Sequence, residues 1–512
     1  MLISKEVIKK PWFTAFASGA AVGIITHLFG LVTVIHNSDD IGNQPFGFGT
    51  GLRSGRWFLS MLGTLVKKLF GGYNIPYLSG LLFVLLVAVS AAVVVATLRL
   101  EKKRWAAFVG ATFVVFPTIS AIMLYKHTVL YYGIAILLSV LAVFFLDRFK
   151  FGLPLSVFCL ALSMGIYQAF APVTITLFVI LLIKKAIKQE KSFKQLVILG
   201  FYYCLSLALG VGLYYLILQI CLNVTNTKLG TYQEINNMGK ISISELPQLI
   251  KKAYKGFLRL PVKDYCSLAQ TKLIRLCYLV LGVFSVLFTV YLLISRVKNF
   301  LNSAFVVAMG IILPLAFNFI VIMCPSSDIY TLMVFSFVLA PCFPVILLDC
   351  HSPITRKWQV IFEKTSSKIV VLTLSILIFC YVYIANTNYM YLFYSNRQTE
   401  NYMASIVTQV RMTEGFTSDK NWALIGTLDD PLLKGSWSKV PKLQGNATTQ
   451  RLLTAGSKLS WMKTYIGYNV PIATDEEIAE IKEDPRFAEM PCWPDNGSIA
   501  IIDDIVVIKF SN

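Results

Sequence analysis

Two adjacent carboxylates, Asp39 and Asp40, follow the first apolar run of the chain, with His36, Asn37 and Ser38 just before them. Residues 12–35 are apolar enough to cross a membrane, and Lys5, Lys9 and Lys10 stand in front. Cations mark the cytoplasmic end of a span, which sends His36–Asp40 out on the far side, near the lipid headgroups. In an extended segment neighbouring side chains point to opposite sides, so the two acids address different atoms. Like charges this close raise one pKa, and a partly dry site raises it further. A carboxylate tuned upward can take a proton from a sugar hydroxyl near neutral pH. The same oxygens could hold a divalent cation on a lipid phosphate, or cap a loop or the next helix. As the base, Asp40 is preferred to Asp39.

Other residues could serve the same chemistry. Arg53 and Arg56 lie in Arg53-Ser54-Gly55-Arg56-Trp57, where a guanidinium fork can grip phosphate at two points or bind anionic headgroups without specificity. Lys126-His127 occupies a tight outer turn, as a phosphate ligand or as a snorkelling cation. Asp328, in Cys324-Pro325-Ser326-Ser327-Asp328, is a second acid for sugar hydroxyls or a helix cap. Tyr167 and Gln168 end a span on the outer side and could hydrogen-bond a sugar, although an aromatic belt also explains Tyr167.

These residues need a scaffold that holds them at one membrane face. The 512 residues are 56% hydrophobic and 14% charged, which fits a polytopic α-helical membrane protein. Apolar runs near 12–35, 75–98, 105–124, 128–146, 152–168, 170–186, 195–221, 273–294, 301–323, 330–348 and 368–389 predict about eleven spans. Alternate loops carry the cations: Arg99 to Arg104, Arg148 and Lys150, Lys184 to Lys194, Arg296 and Lys298, then Arg356 to Lys368. This alternation puts the N-terminus in the cytoplasm and the C-terminus outside. It also assigns the net charge of +19 to topology rather than to nucleic acid.

Two amphipathic helices are expected in the outer interface, near 52–70 and 244–260, where apolar residues at helical spacing alternate with lysines. Residues 1–389 form the membrane domain. Residues 390–512 read as a small α/β domain on the outer face, with a strand at 422–428, a capping-box helix start at Thr474-Asp475-Glu476-Glu477 and a terminal hairpin around Asp503-Asp504. Its aromatics Trp437, Trp461, Tyr465, Tyr468 and Trp493 either stack on sugars or pack a core. The ten cysteines show no metal spacing, and the chain has no Walker loop, dinucleotide fingerprint or HExxH.

The sequence resembles the polytopic glycosyltransferases that use lipid-carried sugars, and is most similar to the serotype-converting O-antigen glucosyltransferases of bacteria and their prophages. The motifs that carry this are His36-Asn37-Ser38-Asp39-Asp40, Ser54-Gly55-Arg56-Trp57 and the ending Met490-Pro491 through Gly497-Ser498-Ile499 to Val506-Val507-Ile508-Lys509. The resemblance implies a multi-pass enzyme of the bacterial inner membrane with a periplasmic site. Glucose from undecaprenyl phosphate would pass to a sugar of the lipid-linked O-antigen repeat by one inverting displacement. Asp39 or Asp40 would be the base, and Arg53, Arg56 or Lys126 would stabilise the leaving phosphate. A flippase and a donor-synthesising glucosyltransferase are the implied functional partners, and no cofactor beyond an optional divalent cation follows. Two rival readings stay open: a flippase of lipid-linked sugar, and an O-antigen polymerase or ligase.

In a cysteine-free background, Ser38→Cys is expected to react with a membrane-impermeant maleimide applied to the periplasmic side. Labelling from the cytosol alone would overturn this topology.

Overall fold

A computed structural model describes residues 6, 9–231, 237, 239, 242–297, 299–350, 357–430, 433, 440–454 and 456–511, with only the backbone of 357–359. The expectations for Lys5, Lys298, Arg356 and Trp437 lie outside the described residues. Among those described, nine helices are long and apolar enough to cross a membrane: Pro11–Val32, Pro76–Leu98, Lys103–Ile122, Val129–Arg148, Gln168–Ile187, Phe193–Val224, Lys272–Arg296, Phe300–Phe317 and Val360–Met412. Two shorter apolar helices, Gly152–Ile166 and Phe335–Asp349, occupy the other two expected runs. The first stops where Tyr167 turns extended. The second starts late because residues 324–334 form an irregular segment.

The last membrane helix departs most from expectation. It belongs to a single helix, Lys357–Met412, of 56 residues, which at 1.5 Å per residue is roughly 84 Å long. Apolarity drops after residue 389, where the sequence division was drawn. No Gly or Pro stands between 357 and 412, so nothing in the backbone chemistry stops the helix there.

The N-terminal helices pack on small residues. Pro11–Val32 lies against Pro76–Leu98 and Lys103–Val115. A Cβ on Gly110 would fall on the carbonyl oxygen of Ala15, and one on Gly23 would meet Val84 Cγ1 at 2.6 Å. Close backbone approach of this kind is how helices associate where lipid removes the hydrophobic drive. Pro117 then breaks the third helix after Val115, because it supplies no N–H and clashes with the preceding turn. The displaced end delivers residues 124–127 next to the loop that follows the first span.

The basic loops gather at the end of the bundle opposite to that turn. Lys184 meets Asp349 at 3.2 Å, Lys185 meets Asp147 at 2.8 Å and Lys188 meets Glu101 at 3.1 Å. Asp349 also accepts the backbone N–H of Glu101 at 3.0 Å. The charge alternation thus corresponds to two distinct ends of one bundle.

Both amphipathic segments are helices, Trp57–Phe70 and Leu246–Arg259. The first buries Trp57, Leu59 and Gly63 and exposes Met61, Leu65, Leu69 and Phe70, as a helix lying in an interface does. Beyond Met412, three strands form one sheet in the order β1–β3–β2: β1 Trp422–Ile425, β2 Ile499–Ile502 and β3 Ile505–Lys509. β1 pairs with β3 in parallel and β2 with β3 antiparallel. Asp503 and Asp504 both adopt positive φ, which the two-residue turn of such a hairpin requires. The capping box at Thr474 and Glu477 is formed. Trp461 and Trp493 are buried and serve packing.

Truncating Asp349 to Ala would leave Lys184 buried without its carboxylate. A loss of roughly 3–5 kcal/mol is expected, read as a lower unfolding midpoint in detergent; an unchanged midpoint would deny the ion pair its role.

Candidate active site

The acidic pair lies on a five-residue helix, Ser38–Gly42, capped by Asn37, whose side-chain oxygen accepts the Asp40 N–H at 2.8 Å. The expectation of an extended segment is therefore corrected, because Asn37 is a strong N-cap and starts a helical turn. Successive residues of a helix still diverge, and the two acids part company. Asp39 faces a cavity of about 740 Å³, while Asp40 is fully buried behind it.

Asp40 is surrounded by donors. Its Oδ2 accepts the Lys126 N–H at 3.0 Å, and its Oδ1 accepts the His127 N–H at 3.0 Å and the His127 Nδ1–H at 2.5 Å. His36 Nδ1 stands 3.9 Å from Oδ2, beyond hydrogen-bond range but close enough for charge to act. Burial pushes Asp40 upward, yet His127 and His36 outweigh it and hold the carboxyl well below the usual carboxylate range. A saturated, buried, strongly acidic carboxyl cannot reach a substrate hydroxyl. The preference for Asp40 as the base is therefore corrected: its geometry makes it the group that holds His127.

Asp39 has the opposite character. Among the described residues its carboxylate has no hydrogen-bond or ion-pair partner, and only its backbone carbonyl is engaged, by Asn43 Nδ2 at 2.8 Å. Partial desolvation by the cavity walls pushes it above the ordinary carboxylate range, opposed by His127 and reinforced by Asp40. Of the two acids, Asp39 alone lines the cavity.

Several locks fix this loop. Asn396 of the long helix accepts the His36 N–H at 2.7 Å and donates to the His36 carbonyl at 2.9 Å. Asn37 Nδ2 donates to the Leu124 carbonyl at 2.8 Å. Lys126 does not line the cavity; its ammonium is buried and donates to the Gly30 carbonyl at 2.5 Å. Burial pushes it down to about 8, against the attraction of Asp40. His127 lines the cavity, and its Nε2 looks toward Gly49, where an added Cβ would come within 3.2 Å of that nitrogen.

The second motif supplies the cation. Gly55 takes a left-handed φ of 70°, and a Cβ there would lie 2.7 Å from Tyr214 Oη and 2.8 Å from Gln168 Nε2, so only glycine fits. Gln168 Nε2 donates to the Ser54 carbonyl at 3.0 Å and to Tyr214 Oη at 2.9 Å. Gln168 touches the cavity while both of its amide hydrogens brace this turn.

The turn presents Arg56 at the N-terminus of Trp57–Phe70. Its guanidinium lies 4.7 Å above the Tyr167 ring and donates to Tyr132 Oη and Thr50 Oγ1, each at 3.2 Å. Tyr132 and Tyr167 stack at 4.7 Å, nearly parallel. No carboxylate pairs with Arg56 among the described residues, and its buried Nε lacks a partner. A fixed, unneutralised guanidinium beside a helix N-terminus is suited to an anion.

Arg53 is exposed and does not line the cavity; its carbonyl accepts the Gly230 N–H at 2.8 Å. Asp328 is exposed on the cavity wall. The structure thus brings Asp39, Arg56, His127, Tyr167, Gln168 and Asp328 to one cavity and leaves Asp40, Lys126 and Arg53 outside it. Sequence reading missed Tyr132, whose position one helical turn after Thr128 was the available hint. It also missed Gln444, Thr454, Gly456 and Ser457, which no local signal marks. Among the described residues no three His, Cys, Asp or Glu side chains come together as a metal site.

Fold and cavity define a multi-pass membrane protein with an acid, an imidazole and a free guanidinium held at one end of its helices. A family model described as glucosyl transferase GtrII matches residues 28–340, and the chain belongs to that family. No curated protein and no solved structure matches the chain.

Asp39→Asn is expected to abolish most activity at an unchanged unfolding midpoint. Asp40→Asn turns an amide toward N–H donors and should cost about 1–3 kcal/mol or more, seen as a lower midpoint. Because folding depresses the Asp40 pKa, its contribution is complete above the unfolded value and fades only in stronger acid. The gap between wild type and Asp40→Asn should therefore shrink only in acid below the ordinary carboxylate range. Full activity in both variants would remove the acidic pair from the chemistry.

Proposed function

We propose that the protein moves glucose from undecaprenyl phosphate to a sugar of the lipid-linked O-antigen repeat, at the periplasmic face of a bacterial inner membrane. The observation that carries this is the pairing, in one cavity, of a carboxylate (Asp39) that has no partner among the described residues with a guanidinium (Arg56) that has no counter-ion among them. Family membership supplies glucosyl transfer; the polyprenyl donor, the acceptor and the orientation are our reading. The cavity volume lies in the range of small-ligand sites, and the exposed apolar face of Trp57–Phe70, the helix that starts next to Arg56, supports an interfacial position for that guanidinium.

In this reading Asp39 takes the proton of the acceptor hydroxyl as its oxygen attacks the anomeric carbon. The carbon–oxygen bond to phosphate breaks, and its electron pair stays on the lipid phosphate. Arg56 neutralises the developing charge, with His127, braced by Asp40, as the second donor. One displacement inverts the anomeric configuration. A flippase would need polar groups along a path through the helices. The buried ion pairs instead sit at the end opposite the cavity.

Purified protein given radiolabelled undecaprenyl phosphate-glucose and lipid-linked O-antigen should move label to the acceptor. Arg56→Ala should raise the donor KM about 10- to 100-fold, as loss of a charge-assisted contact of about 1.5–3 kcal/mol implies. Because a raised pKa keeps Asp39 protonated at higher pH, the acid limb of kcat/KM should lie above the ordinary carboxylate range. Movement of label across a vesicle wall without transfer would favour the flippase.

A further inference from the structure

The C-terminal region builds one wall of the cavity. Gln444, Thr454, Gly456 and Ser457 line it, and all four are neutral. The nearest cation in sequence, Lys458, is turned away: its buried ammonium donates to the Gly426 carbonyl and lies 4.1 Å from the Phe510 ring centre. A neutral wall of hydroxyl and amide groups suits sugar hydroxyls and brings no positive charge to a phosphate. Arg56 precedes the helix Trp57–Phe70, whose exposed apolar face suits the membrane interface in which a lipid phosphate stays.

This wall is rigidly anchored. Asn388 of the long helix donates to the Pro441 carbonyl at 2.9 Å and accepts the Leu443 N–H at 2.8 Å. Gln444 Oε1 accepts the Leu332 N–H at 3.2 Å. Gly445, at φ +92°, packs on Tyr125, where a Cβ would lie 2.8 Å from the ring. Next to these fixed points, Gly456 is different. It has an ordinary right-handed backbone, and a Cβ added there meets no atom within 4 Å. Neither conformation nor packing requires glycine, so the missing side chain leaves open cavity.

We propose that Gln444, Thr454, Gly456 and Ser457 form the acceptor-sugar subsite and that Gly456 sets the size of the sugar it admits; this rests on the transfer reading above. The ligand class is a neutral pyranose of a glycan, met by the Gln444 amide N–H groups, its oxygen being held by Leu332, and by the lone pairs of the Thr454 hydroxyl, whose own proton goes to Ser457 Oγ at 3.0 Å. These residues lie beyond the stretch matched by the family model, 28–340, so acceptor choice can change without touching Asp39 or Arg56.

The test uses the full chain in detergent with undecaprenyl phosphate-glucose and lipid-linked O-antigen extracted from host membranes. Gly456→Leu should lower kcat/KM for the acceptor about tenfold or more, as steric loss in a pocket does, while the donor KM stays within about twofold. Thr454→Val, which keeps the shape and removes one hydroxyl, should lower acceptor kcat/KM in the same direction without shifting the donor KM. It decides the matter if the leucine variant does not fold. Unchanged acceptor kinetics in the folded variants, or donor KM rising in step, would overturn the subsite. Wild-type protein that transfers no glucose would sink the transfer reading itself, and this subsite with it.

Discussion

A single buried carboxylate organises this site. Asp40 stands at the start of a short helix after the first span and receives three N–H donors from Lys126 and His127. Those residues belong to a turn between two other helices, so one side chain joins segments more than eighty residues apart. A buried anion without such donors would be strongly destabilising. With them it fixes three things together: the direction of the His127 ring, the position of the turn, and the exposure of Asp39 on the other side of the same helix. The neighbouring acids thereby acquire unlike roles, one structural and strongly acidic, the other open to the cavity and held toward neutrality.

The cationic side of the cavity follows the same logic with different groups. Arg56 is positioned by Tyr132, Thr50 and the Tyr167 face, none of which cancels its charge. Neutral partners of this sort fix a guanidinium and leave its attraction for an anion intact. Gln168 and Tyr214 act one step further out by bracing the turn at Gly55 that aims Arg56. Contacts to neutral groups orient, whereas contacts between opposite charges, as at Lys184 and Asp349 on the far end, hold helices together.

The C-terminal region is part of the site as well as an addition to it. Asn396 grips the backbone of His36 from the long helix, and Tyr465 sets its ring edge-on against His36, 5.8 Å between centres. Gln444, Thr454, Gly456 and Ser457 complete the cavity wall. The long helix carries both jobs, with Asn388 anchoring the wall and Asn396 anchoring the acidic loop. This explains why a division at residue 389, natural on composition, cuts through one continuous element.

Much of this was legible from the chain alone. Apolar runs fixed the helices because burial in hydrocarbon demands backbone pairing within the segment, and alternating lysines separated the two ends. The family resemblance, the importance of the first outer loop, the Ser54–Trp57 motif and the terminal hairpin were likewise local signals. Which aspartate meets the cavity, why Lys126 turns inward to Gly30, and how residues near 450 reach Asp39 were decided only by tertiary structure. The physical reason is that burial and hydrogen-bond partners come from residues distant in sequence. They set the pKa and accessibility of a carboxylate, whereas sequence adjacency gives Asp39 and Asp40 the same neighbours and no means to tell them apart.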